Sequence, residues 1–355
     1  MMLHGGEIYD KNVKHDFSVN TNPLGMPGDI KAALTKAIQS VGVYPDYECR
    51  RLREHLGRFF DLNPEWVICT SGASEALTAL LRCLTGLCAL IPVPSFYGYA
   101  RGALAADMKV SYHMLGEKSD FFLGEDVLAV IPEGGAVILG NPNNPTGRIV
   151  KGELMSRLLE ECEKRDTYLI VDESFSDFVS GGEVSVADRI CENKKTVVIK
   201  SFTKLYAAPG VRLGCILTSD EELTGRIKRQ LPEWNLSSFA LAAGECWGAD
   251  AGYKADTIKL IRREGEYLAA SLSELGLRVY ESDAPFVLFK SDRELYEPLL
   301  KEGIMIRDCR DTEGLGAGYY RIAVKTRKDN ELLVDALRMV LGVGPKEQGF
   351  GNDGR

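Results

Sequence analysis

Short apolar runs rich in branched residues alternate with segments of helical spacing over the first two thirds of the chain. The runs predict strands at 66–70, 88–93, 136–147 (ending in a turn), 167–174 and 195–202. The segments between them predict helices at 75–86 and 153–165. Such alternation is typical of a mainly parallel sheet covered by helices, so the pattern predicts an α/β fold.

The pattern changes after Trp234. A helical region over roughly 236–275 precedes four shorter strand-like segments, RVYES, FVLFK, IMIRDC and YYRIAVKT. This order predicts a smaller α+β domain at the end of the chain. We therefore expect an N-terminal arm packing on the small domain over 1–40, a large domain over 41–233, a small domain over 234–345 and a flexible tail over 346–355.

Composition and charge narrow the classes of function. The 355 residues are 45% hydrophobic and carry a formal net charge of −8, whereas a nucleic-acid-binding protein normally carries a basic face. No apolar run approaches the ~20 residues of a membrane span, and the start of the chain lacks the apolar core of a secretory signal. We expect a cytoplasmic protein with no membrane or nucleic-acid partner, and nine scattered cysteines without a CxxC pair fit reduced thiols there. The four distant histidines without HExxH predict no metal site.

Polar residues follow the predicted strands, at the edge where open parallel sheets bind ligands. Residues 71–74 follow the first strand and begin a helix, whose free N–H groups suit an anion such as phosphate. Asn144 lies in a turn made rigid by two prolines, and its amide can donate to a ring oxygen. Asp172 ends a later strand, where a buried carboxylate needs a partner such as a pyridinium N–H.

Lys204 directly follows the last of these strands, where burial would lower its pKa and make the amine a nucleophile for Schiff bases. Arg212 and the hydroxyls of Ser201 and Thr203 can complete a phosphate cup. Singly, these features also suit a helix cap, a tight turn, a surface carboxylate and a surface loop. One cofactor, pyridoxal phosphate, needs all of them: an amine for its aldehyde, an acid for its ring nitrogen, a donor for its phenolate oxygen and a phosphate cup.

The segments NPNNPTG (141–147), DE (172–173) and SFTKLYAAPGVRLG (201–214) resemble the fold-type-I pyridoxal-phosphate enzymes, the class I/II aminotransferase family, and the resemblance spans nearly the whole chain. It implies that Lys204 carries the cofactor, Asp172 keeps the pyridine nitrogen protonated and Asn144 binds the 3′-oxygen. It implies contacts to the cofactor phosphate from Gly72, Ala73, Ser74, Ser201, Thr203 and Arg212.

Two aromatic residues are also implied in cofactor binding. Phe96 would stack on the cofactor ring, although a core aromatic is an equal alternative. Tyr44 resembles the residue that reaches the cofactor phosphate of a neighbouring subunit, which implies a homodimer.

Within the family, the chain resembles the threonine-phosphate decarboxylases of cobalamin synthesis more than the histidinol-phosphate aminotransferases. DFSVNTNPLGMP (16–27), IMIRDC (304–309) and Phe175, where the aminotransferases usually have tyrosine, carry this resemblance. It implies that Arg321 binds the substrate carboxylate and Arg307 the substrate phosphate, while Asn20 and His4 close over the substrate. We expect decarboxylation of L-threonine O-3-phosphate to 1-aminopropan-2-ol phosphate, with an aminotransferase as the alternative.

A dinucleotide-binding dehydrogenase is not favoured. GLGAG (314–318) lacks the GxGxxG spacing, and a strand-like segment follows it where a Rossmann turn requires a helix. No P-loop motif occurs, and the acidic chain leaves no room ahead of the cofactor pattern for a DNA-binding domain.

Overall fold

The computed structural model describes residues 5–180 and 184–343, so His4 and the predicted tail lie outside the described residues. Its first elements are a short strand β1 (His15–Asp16) and the helices α1 (Gly28–Ala37) and α2 (Arg50–Phe60). Helix α2 buries Leu52 and Leu56, which are four residues apart and therefore share one face. No helix among the described residues is long and apolar enough to cross a bilayer.

A seven-stranded sheet forms the centre of the molecule. Its strands are β2 (Val67–Thr70), β3 (Cys88–Val93), β4 (Lys109–Met114), β5 (Ala136–Gly140), β6 (Tyr168–Asp172), β7 (Thr196–Ser201) and β8 (Gly214–Leu217). They lie in the order β2-β8-β7-β6-β5-β3-β4, and only β8 runs antiparallel to its neighbours. The predicted mainly parallel sheet is therefore confirmed, although the pattern had missed β4 and β8.

Helices cover both faces of this sheet because alternate strand residues point to opposite sides. The connecting helices are α3 (Ala73–Arg82), α4 (Gly98–Ala105), α5 (Gly152–Lys164), α6 (Phe202–Leu205) and α7 (Glu221–Gln230). In β5, Ile138 packs into the cluster that contains Leu80 of α3, whereas Leu139 packs into the one that contains Leu158 of α5. Burial of each such side chain contributes about 1.5–3 kcal/mol.

Two helices occupy the region that the pattern predicted as one. They are α8 (Ser238–Gly244) and α9 (Ala251–Glu274). Gly248 between them has a φ of +79°, and the Asp250 side chain accepts a hydrogen bond from the Tyr253 N–H at 3.0 Å, which caps α9. A positive φ followed by a new cap ends one helix and begins the next.

The C-terminal region contains a separate antiparallel sheet. Its elements in chain order are β9 (Arg278–Val279), β10 (Phe286–Lys290), α10 (Tyr296–Lys301), β11 (Ile304–Met305), β12 (Arg307–Asp308), β13 (Tyr319–Ala323) and α11 (Arg327–Leu341). The sheet order is β12-β13-β10-β9, while β11 instead pairs in parallel with β1. The Ala323 N–H also donates to the Phe17 carbonyl at 2.8 Å. The start of the described chain is thus joined to this C-terminal sheet, and the bounds of the four predicted segments stay predictions.

Candidate active site

A cavity of about 260 Å³ lies where the carboxyl ends of β5, β6 and β7 approach the C-terminal sheet. The three strands run in parallel, so the residues that follow them meet at one edge. The sequence-predicted residues that line the cavity are Asn20, Ala73, Ser74, Phe96, Asn144, Asp172, Ser201, Thr203, Lys204, Arg212, Arg307 and Arg321. Among the described residues, no group of three or more His, Cys, Asp or Glu could hold a metal ion.

The Asp172 carboxylate receives hydrogen bonds on both oxygens. The Tyr99 hydroxyl donates to Oδ2 at 2.8 Å, and the N–H and hydroxyl of Ser174 donate to Oδ1 at 2.9 and 2.6 Å. Burial, and then the negative charge of Asp172, raise the pKa of Tyr99 well above its usual range, so the phenol stays a donor. Sequence reasoning missed both residues, and only their nearness to Phe96 and Asp172 in the chain could have suggested them.

The Lys204 side chain, in the short helix α6, lines the same cavity as this carboxylate. Burial is the largest cause that lowers the pKa of Lys204, to about 8, and the charges of Arg321 and Arg212 act in the same direction. Asp172 opposes them. With this pKa, roughly a tenth of the amine is unprotonated at pH 7, far more than for an exposed lysine. The direction of this shift is the one expected for a lysine directly after a buried strand.

An anion-binding cup lies at the start of α3. Helix α3 begins at Ala73, so the N–H groups of its first turn have no partners within the helix. The hydroxyls of Ser201 and Thr203 lie 3.0 Å apart on another side of the cavity. Gly72 has a φ of +83°, and a Cβ at this position would lie 2.6 Å from Arg212 Nη2. Glycine therefore lets the guanidinium approach the helix N-terminus, and the donor set suits a phosphate.

Arg307 and Arg321 lie opposite each other on β12 and β13. Like charges in this arrangement destabilise an antiparallel pair of strands. Each guanidinium nevertheless keeps a buried nitrogen without a partner, Nη1 of Arg307 and Nε of Arg321. Burial, with a contribution from the charge of Arg307, lowers the pKa of Arg321 to about 10. The pair of guanidinium groups therefore favours the binding of a ligand that carries negative charge.

Asn144 lies against Arg321 in the wall of the cavity. Its Oδ1 accepts a hydrogen bond from Arg321 Nη1 at 2.5 Å, which leaves the amide N–H₂ as a donor. Arg321 Nη2 donates to the Ser18 carbonyl at 2.6 Å, so both protein partners of Arg321 are neutral. Asn20, also in the cavity wall, is buried with its Oδ1 unpartnered. A ligand N–H or O–H is the missing partner that this geometry predicts.

Two predicted aromatic residues have different positions. Phe96 lies in the cavity wall with its ring edge-on to Tyr99, at a centroid distance of 5.5 Å. Tyr44 does not line the cavity: it is 81% exposed, and its ring lies against Trp234 with 4.8 Å between centroids. Within one subunit, Tyr44 is therefore not brought together with the other predicted site residues.

Comparison with known proteins identifies the family. Residues 12–337 match the family model "Aminotransferase class I and II", and the chain belongs to this family. It is 33% identical over 338 residues to threonine-phosphate decarboxylase of Salmonella typhimurium, with 94% of this chain and 93% of the relative covered.

Two solved structures have the same fold. Histidinol-phosphate aminotransferase from Clostridium acetobutylicum superposes with a TM-score of 0.85 at 30% identity, over 92% of this chain and 99% of that one. L-threonine-O-3-phosphate decarboxylase from Porphyromonas gingivalis superposes with a TM-score of 0.84 at 24% identity, over 92% of this chain and 99% of that one. The expected fold class is therefore confirmed.

The enzymes of this group depend on pyridoxal phosphate, and the residues of the cavity fit that cofactor. Lys204 would bind its aldehyde, Asp172 its ring nitrogen and Asn144 its ring oxygen, while the cup at Gly72 would take the phosphate. The bound cofactor supplies an electron sink for a bond broken at the substrate Cα.

Proposed function

We propose that this enzyme decarboxylates L-threonine O-3-phosphate to 1-aminopropan-2-ol phosphate and CO₂. The pairing of Arg307 with Arg321 carries the proposal, since each guanidinium has a buried nitrogen without a partner. Threonine phosphate offers a carboxylate to Arg321 and a phosphate to Arg307. Histidinol phosphate offers one anionic group and, bound at Arg307, would leave the buried Arg321 without a charged partner, which is unfavourable.

The two guanidinium groups would also select the reaction. They hold both ends of the substrate, so rotation about Cα is restricted, and the bond that stands perpendicular to the cofactor ring is the one that breaks. A displacement of ~1 Å can change the rate on the order of 10²-fold, so these contacts matter more than the identity of the base. Lys204 lies in the same cavity and can return a proton to Cα after CO₂ leaves.

An aminotransferase is the second candidate. A dicarboxylic amino donor such as glutamate also carries two anionic groups, and the 30% identity to a histidinol-phosphate aminotransferase favours this alternative.

One experiment separates the decarboxylase from the aminotransferase. Purified enzyme supplied with L-threonine O-3-phosphate should release CO₂ and form 1-aminopropan-2-ol phosphate, whereas Lys204→Ala should not. Formation of glutamate from histidinol phosphate and 2-oxoglutarate, without CO₂, would reverse the choice.

We also propose that the enzyme is a homodimer in which Tyr44 completes the cofactor site of the partner. The support is an exposed apolar surface that consists of Val41, Val43, Tyr44, Tyr47 and Trp234. Sedimentation should give about twice the 39.1 kDa of one chain. Tyr44→Phe should weaken cofactor binding, whereas Tyr47→Phe in the same surface should not. A monomer with full cofactor affinity would refute the proposal.

A further inference from the structure

We infer that Asp311 competes with ligands for Arg307 and weakens anion binding there, so that a single anion binds poorly and a ligand needs a second anionic group at Arg321 to bind well. Asp311 Oδ1 lies 3.3 Å from Arg307 Nη2, and the two side chains are 27% and 11% exposed. The inference deepens the proposed function, because it rests on Arg307 and Arg321 as the two anion-binding groups.

The arginine pair is asymmetric in its protein contacts. Arg321 is held by the Ser18 carbonyl and by Asn144 Oδ1, which leave its positive charge uncompensated at contact distance. Arg307 uses one nitrogen on Asp311 and keeps Nη1 buried without a partner. Half of the Arg307 fork is therefore engaged by a carboxylate of the protein, while the other half is buried without a protein partner.

The other acidic side chains nearby do not have this role. Asp308 is the neighbour of Arg307 in the strand, so its side chain points to the opposite face, where it binds Arg310 Nε at 2.6 Å. Glu313 is exposed and does not line the cavity. Asp311 is thus the carboxylate, among the described residues, that is ion-paired with Arg307.

This arrangement makes binding depend on two attachment points. An anion that approaches Arg307 is repelled by Asp311. This repulsion weakens the binding of every anion at Arg307 to a similar extent. Inorganic phosphate has no second contact to offset this loss. A ligand already held at Arg321 presents its second anionic group at a local concentration in the millimolar range, and so binds despite Asp311. Because opposed Cα atoms of antiparallel strands are about 4.5–5.5 Å apart, a short spacer between the two anionic groups suits the site best.

The test is calorimetric titration of the holoenzyme, whose cofactor cup is already filled, with inorganic phosphate. Asp311→Asn keeps an acceptor oxygen for Arg307 and removes the negative charge. We expect the dissociation constant for inorganic phosphate to be about tenfold lower in the Asp311→Asn variant than in the unsubstituted holoenzyme. Glu313→Gln, on the same loop, should leave that constant unchanged. In the double variant with Arg307→Met, the gain should disappear, which would locate the phosphate at Arg307.

Unchanged or weaker phosphate binding in Asp311→Asn would overturn the inference, because Asp311 would then only orient Arg307. Asp311→Ser provides a second test if the asparagine variant fails to fold. The outcome is independent of the decarboxylation assay. An enzyme that does not decarboxylate threonine phosphate, yet binds inorganic phosphate more tightly without Asp311, would refute the proposed substrate and leave the role of Asp311 intact.

Discussion

Lys204 shows how the surroundings of one residue set its chemistry. Burial, together with Arg321 and Arg212, lowers its pKa from 10.5 to about 8 in the folded chain. The unprotonated amine is the form that attacks an aldehyde. Protonation of Lys204 also opposes folding, because the unfolded chain binds this proton more tightly. The lysine therefore stabilises the apoprotein increasingly as pH rises from about 8 to 10.5.

The first prediction concerns the pH dependence of cofactor attachment. The rate of covalent attachment of pyridoxal phosphate to the apoprotein should rise about tenfold per pH unit up to about 8 and then level off. Borohydride trapping followed by mass spectrometry measures this rate, and Lys204→Ala is the blank. A rate that keeps rising to pH 10 would mean that the lysine behaves as an exposed one.

At the scale of elements, the sequence predicts best those strands that form unbroken runs of buried, branched residues. Strands β5 and β7 are buried throughout, so their unbroken branched runs were recognised, and the residues after them were expected at one edge. Strand β4 lies at the sheet edge with mostly exposed side chains, and β8 begins with Gly214 and Cys215, so neither gave a run of branched residues. The contact of Tyr99 with Asp172 joins α4 to the end of β6, two elements far apart in the sequence, and no local pattern records such a contact.

The second prediction compares two glycines with nearly equal φ angles. Gly72 has a φ of +83° and Gly86 has a φ of +82°, but only at Gly72 would a Cβ meet another group within 4 Å, the Arg212 guanidinium. Because φ is positive at both positions, substitution by alanine should destabilise the fold at either, by on the order of 1–3 kcal/mol. Only Gly72→Ala should also weaken pyridoxal phosphate binding, about tenfold, in an absorbance titration. Equal cofactor affinity in the two variants would contradict the proposed cup.

At the scale of the whole molecule, one loop of the large-sheet region holds the C-terminal sheet. Leu115 and Phe121 pack in one cluster with Tyr280 and Tyr319. Above them, Glu117 accepts hydrogen bonds from the Tyr280 hydroxyl at 2.6 Å and from the Lys290 ammonium group. The hydrogen bond from Tyr280 is the largest cause that lowers the pKa of Glu117, to about 2.

The third prediction follows from this contact. Because the folded pKa is depressed, the Glu117 carboxylate stabilises the protein above about pH 4.5, and this contribution is lost as pH falls toward 2. Glu117→Gln should therefore lower the free energy of unfolding at pH 7 by about 1–2 kcal/mol, a value reduced for solvent screening. Urea unfolding at pH 7 and at the lowest pH that keeps the fold would show the difference shrinking, with exposed Glu133→Gln as control. An equal loss at both pH values would point to packing.

The pairing of β1 with β11 has a consequence for biosynthesis. His15–Asp16 lies beside Ile304–Met305, and the nearby Ser18 carbonyl holds Arg321. At translation rates of roughly 5–20 residues per second, the first segment leaves the ribosome about 15–60 s before its partner is made. Its backbone groups stay without their final partners during that interval. The contacts that hold Arg321 thus form only near the end of synthesis, and a nascent chain released early would lack them.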